Sequence, residues 1–183
     1  SVRETLEEVL RRIAEAIDEL IKTLEKVLEE SRREIERWKK ENEDSLREIK
    51  KKLEDLEKKI EDERVVRDIR RVLEEVRRLV EESKKILDEV VEDNERLVRE
   101  LVKELEDVKR KVEELVRDVK RDNTEEKAKR ALEEIKRLLE RVKKRVEEAL
   151  EEIKKSNKEA ADIVRDIDRR LEELLRTVAD KTR

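Results

Sequence analysis

Six polar residues, Ser31, Asn42, Ser45, Ser83, Asn94 and Asn157, stand on or beside positions that the surrounding pattern gives to aliphatic side chains. A buried serine could serve as a nucleophile, and a buried asparagine could orient or polarise a bound group, so any chemistry is to be sought here first. A serine nucleophile needs a base beside it. The chain has no His and no Cys, which removes the commonest general base, the thiol nucleophile and the usual zinc spacings. Without Gly, no P-loop or GxGxxG turn can form. Carboxylates are abundant, but a four-helix diiron site needs an inward Glu-x-x-His, and paired acids for sugar chemistry need a cleft. No catalytic, cofactor-binding or metal-binding residue is expected, and the chain does not read as an enzyme. The six residues read as a device that fixes helix pairing.

The elements that position them follow from composition and periodicity. Neither glycine nor proline occurs in 183 residues, 58% of which are charged, 34% hydrophobic and 1% aromatic. Glycine and proline are the usual punctuation of turns and helix ends, so the chain has few places to stop being a helix. Leu, Ile and Val at helical spacing among Glu, Lys and Arg read as long helix or coiled coil, not disorder. A net charge of -4 offers no broad basic field for nucleic acid. No run of about 18 apolar residues is present to span a membrane, and the start Ser1-Val2-Arg3-Glu4 lacks an apolar signal core. The expectation is a soluble protein.

In the first third, the stripe runs Val2, Leu6, Val9, Ile13, Ile17, Leu20, Leu24, Val27, Ser31, Ile35, Trp38, Asn42, Ser45, Ile49, Leu53, Leu56, Ile60. The steps average about 3.6 residues, the period of a straight α-helix rather than of a supercoiled heptad. The beat breaks after Ile60 and again between Val119 and Ala128, predicting helices over 1–61, 63–121 and 124–181. Each would be roughly 90 Å long. Asp62 is the expected N-cap of the second helix and Thr124 that of the third, with Asn123 able to take a left-handed cap. Ser1 and Glu4 have capping-box spacing. Lys58, Lys59, Lys120 and Arg121 suit helix C-termini, and Glu125 and Glu126 suit an N-terminus. Connections this short require antiparallel neighbours. The fold class expected is all-α, an antiparallel up-down-up three-helix bundle of very long, nearly straight helices, forming a single domain over 1–183. A rival with about six shorter helices starts new ones at Ser31, Ser45 and Ser156, each followed three residues later by Glu. The stripe passes all three serines without a phase shift, which favours continuous helices.

Folding the first two helices about a turn near Asp62 gives facing residues numbers that add to about 125. Ser31 with Asn94 and Asn42 with Ser83 both meet that condition. A third helix displaced by about 121 positions from the first would set Ser31 near Glu152 and Asn42 near Ile163, and Asn157 near the Trp38 indole. A satisfied buried amide penalises other registers, which an all-aliphatic bundle does not.

The stripe is uneven. Leu10, Ile21 and Leu28 widen it within 2–28, and Val91, Val98 and Val102 widen it within 91–119. The plainer account is a core broader at one end; the sharper is an apolar strip that self-associates or receives a partner helix. Glu8–Arg12, Glu36–Lys40, Glu54–Lys58, Glu106–Arg110 and Glu140–Lys144 read as exposed i,i+4 pairs. The clusters Lys50-Lys51-Lys52 and Lys143-Lys144-Arg145, flanked by acids, read as solvated faces.

Saturation with Glu, Lys and Arg, aliphatic cores, a lone Trp38, and Ser/Asn layers resemble computationally designed helical bundles with built-in hydrogen-bond networks. The segment Glu61-Asp62-Glu63-Arg64-Val65 looks like the loop-to-helix transition of such designs, although those commonly use Gly or Pro there. The resemblance implies a structural scaffold with no enzymatic or ligand-binding activity, expressed as a recombinant cytoplasmic protein. The competing readings are a helical interaction module, as oligomer subunit or part of a helix-exchange switch, and a spectrin-like spacer. The missing Gly, Met and His disfavour the spacer.

Overall fold

The computed structural model describes residues 2–122 and 124–181. They form three α-helices: α1 (Val2–Lys59), α2 (Glu63–Asp122) and α3 (Glu125–Lys181). The described residues contain no strand. The expected capping residues Ser1 and Asn123 lie outside them. The fold is an all-α, antiparallel up-down-up three-helix bundle, and the six-helix alternative is corrected: α1 runs unbroken through Ser31 and Ser45, and α3 through Ser156.

The helix ends show how a chain without glycine or proline turns. α1 stops at Lys59, short of the expected 61. The Ile60 amide donates to the Glu57 carbonyl at 3.4 Å, a tightened closure that uses one of the last turn's orphan acceptors. Asp62 opens α2. Its carbonyl accepts from the Val66 amide at 3.1 Å, and its Oδ1 accepts from the Arg64 amide at 2.9 Å. Both bonds are those of an N-cap residue. Removing this cap with Asp62→Ala is expected to cost about 1 kcal/mol; a denaturation midpoint unchanged from wild type would show that the turn does not depend on it. At the other turn, the Thr124 carbonyl accepts from the Ala128 amide at 3.2 Å.

The helices are continuous, and their packing is concentrated in two places along them. It forms two compact units, each taking a length from all three helices: unit 1 spans 1–30 and 93–154, and unit 2 spans 31–92 and 155–183. In unit 1, Glu7 pairs with Lys120 at 2.6 Å and Asp18 with Lys109 at 3.3 Å, which sets α1 antiparallel to α2. Lys111–Glu134 at 3.5 Å and the Glu104–Arg145 pair set α2 antiparallel to α3. The core joins Ile17 and Leu24 of α1, Leu105 and Val112 of α2, and Ile135 and Ile153 of α3. A smaller cluster of Val119, Ala128 and Ala131 lies toward the α2–α3 turn.

In unit 2, Lys39–Asp88, Glu43–Lys84 at 2.8 Å and Glu57–Arg70 at 2.9 Å link α1 to α2. Leu53, Ile69, Val76 and Leu171 form one apolar cluster. Ile35, Leu87, Ala160 and Val164 form another, with Trp38 packed against it. Burial is the larger energetic contribution, at about 1.5–3 kcal/mol for each large aliphatic side chain. The exposed ion pairs contribute about 0–1 kcal/mol each and chiefly mark which residues face each other.

The uneven stripe widens the unit 1 core. Leu10, Ile21, Leu28 and Val102 pack half-buried against it, and Val98 is fully buried within it. Val91 instead packs on the Ile35 cluster of unit 2. The large apolar side chains that are exposed among the described residues are Ile86 and Leu132. None of the described helices is long and apolar enough to cross a membrane.

Candidate functional site

The stripe phase that buries Ile35 and Leu53 on α1 also turns Ser31 and Asn42 inward, and on α2 it does the same for Ser83 and Asn94. All four are at most 3% exposed. Ser45 and Asn157 are half-buried. Inside unit 2, the Asn42 amide Nδ2 donates to Ser83 Oγ at 3.3 Å, placing together two residues whose numbers add to about 125, the value expected of an antiparallel pair. The Asn42 carbonyl Oδ1 is buried with no partner.

The other pairing differs from expectation. Ser31 Oγ donates to Asn157 Oδ1 at 2.5 Å, and the buried Asn94 Nδ2 has no partner. Ser31 therefore pairs with α3 and not with Asn94, and Asn157 is engaged by Ser31 and not by the Trp38 indole, which packs with Ile35 and Leu87. The α1–α3 displacement at this bond is 126, against the expected value of about 121, so Ser31 is bonded to Asn157 rather than set beside Glu152. The physical reason is that the α1–α3 relation accumulates across two turns, so a register counted along the sequence misses by about five residues, more than one turn of about 3.6. Ser45 joins neither pair.

These geometries define what the serines can do. The Ser31 hydroxyl donates to an amide oxygen, which does not take up its proton, and the Ser83 hydroxyl accepts from an amide. Activation of a hydroxyl for attack requires a base within hydrogen-bond reach, and neither partner supplies one. Among the described residues, no group of three His, Cys, Asp or Glu side chains is placed to hold a metal ion.

Charged groups on the rim of unit 2 are tuned by their neighbours. For Lys39, burial alone would lower the pKa, but the hydrogen bond and charge of Asp88, helped by Glu36, hold it above its ordinary value. Its side chain is only 13% exposed. The hydrogen bond from Lys84 holds Glu43 below the usual carboxylate value, and Glu43 raises Lys84 in return. Asp168 goes the other way: partial burial, then the charges of Glu41 and Glu172, raise its pKa. A folded pKa above the unfolded one means stability that is present at low pH and lost as pH rises through the folded value. Asp168→Asn is therefore expected to gain a few tenths of a kcal/mol at neutral pH, after discounting for solvent screening. The gain should disappear below about pH 3. Urea titrations at both pH values test this, and an equal gain at both would exclude relief of charge as its cause.

No family model, no curated protein and no solved structure matches this chain.

Proposed function

We propose that this chain is a structural scaffold of computationally designed type, in which buried Ser and Asn side chains select the register of the helices and no reaction is catalysed. The Ser31–Asn157 bond carries this reading. It spends a buried hydroxyl and a half-buried amide on joining α1 to α3. Replacing both members of a buried pair with apolar residues of similar shape is nearly neutral for stability, whereas the pairing specificity conferred by polar residues is lost.

The test replaces both pairs together, as Ser31→Ala, Asn157→Leu, Asn42→Leu and Ser83→Ala. Spin labels on α1 and α3 of unit 2 then report the separation of the helices. The expected result is full helicity with a broadened or multiple distance distribution. A single distribution identical to that of wild type would show that the pairs do not select register.

A further inference from the structure

Unit 1 carries a groove along α2 and α3 that the scaffold reading leaves without a purpose. Near the α2–α3 turn, Leu115, Val119 and Ala131 floor a cavity of about 420 Å³. Beside it, Leu138 lines a second cavity of about 390 Å³. Farther from the turn, Leu97, Leu101 and Ala149 floor a third of about 160 Å³. Alanines at 131 and 149 leave room that larger residues would fill.

The charges along the rim are segregated. At the turn end, the pairs Asp122–Lys127, Lys111–Glu134 and Arg137–Glu133 neutralise one another. Arg121, Arg130 and Arg141 are left over against the single carboxylate of Asp118. At the far end, Arg145 is taken by Glu104, and Glu100, Glu148 and Glu152 are left over. The α2–α3 side of unit 1 thus holds unpaired cations at one end and unpaired carboxylates at the other, with apolar residues flooring the two end cavities and Leu138 between them.

From this complementarity we infer that the α2–α3 groove of unit 1 binds a second copy of this chain, antiparallel, about a two-fold axis passing Leu138. A two-fold contact places the same patch on both partners, so a groove with opposite charge at its two ends complements itself when reversed. Arg130 lies eight residues before Leu138 and Glu148 lies ten after it. At 1.5 Å per residue these arms differ by about 3 Å, within the reach of an arginine side chain. Arg130 of each copy therefore meets Glu148 of the other, and the two Leu138 side chains meet at the axis. The cavities line α3 from Lys127 to Glu152, about 38 Å, a strip about one helix wide and so below the area of a standard interface. The dimer is accordingly weak, micromolar in dissociation constant, and it weakens further as salt screens the charges.

Sedimentation over a range of concentrations at low ionic strength tests this with Arg130→Glu, Glu148→Arg and their equimolar mixture. Both positions are exposed, and circular dichroism verifies that each variant is folded. Wild type is expected to dimerise, and each single reversal to raise the dissociation constant at least tenfold. The mixture is expected to recover dimerisation, because the two chains then restore both Arg–Glu contacts. A wild type that stays monomeric at all concentrations overturns the proposal. So do single variants that dimerise like wild type, which would place the contact elsewhere, and a mixture that does not recover.

Discussion

Replacing Leu105 with alanine is expected to lower the unfolding free energy by about 2–5 kcal/mol. Leu105 is 0% exposed and belongs to the cluster that draws Leu24 from α1, Val112 from α2 and Val146 from α3. Truncation removes its transfer free energy and leaves a cavity walled by three helices, none of which can close it without disturbing contacts on its other sides. The control is Leu132→Ala. Leu132 is 38% exposed, and surface substitutions of this kind usually change stability by about 0.5 kcal/mol or less. Chemical denaturation of the two variants gives the comparison. Equal losses would mean that Leu105 does not occupy the centre of unit 1.

Asn94→Leu is expected to act in the opposite direction, raising stability by about 1–3 kcal/mol. A buried donor without a partner carries its full desolvation penalty, and Asn94 Nδ2 is such a donor. Asn157→Leu makes the same chemical change with the opposite result, because Asn157 Oδ1 accepts the Ser31 hydroxyl bond. That loss should be about 0.5–1.5 kcal/mol, since a helical serine can turn to a carbonyl of its own helix. Denaturant midpoints at matched slopes measure both. If Asn94→Leu is the more damaging of the two, Asn94 has a partner and its assignment as an unpaired donor fails.

The number, type and order of the helices could be read from the chain because each depends on local information. The stripe period specifies α-helix, and its breaks near 62 and 123 carry Asp62 and Thr124, which open α2 and α3. The antiparallel Asn42–Ser83 pair was equally accessible, since a tight turn transmits its register directly to the two helices it joins. The Ser31–Asn157 bond was not. The relation of α1 to α3 accumulates across two turns, so neither connection alone transmits it. The division of the packing at Glu30/Ser31, Glu92/Asp93 and Lys154/Lys155 lies beside the widened stripe of 2–28 and 91–119 and the polar Ser31, Asn94 and Asn157, but no break in helix continuity marks it. The raised Asp168 escaped notice for a related reason. One of the two charges acting on it, Glu41, lies on another helix and becomes its neighbour only after folding.

Trp38 is the sole aromatic residue of the chain, and it packs on the Ile35–Leu87 cluster of unit 2. Its emission is therefore a local reporter, while unit 1, with no indole, phenol or phenyl ring, melts in optical silence. Far-ultraviolet circular dichroism sums over every helix. The two signals trace one curve only if the whole molecule melts in a single cooperative step. Any gap between them measures how far the two cores melt independently, and the chain thus carries an internal gauge of its own cooperativity.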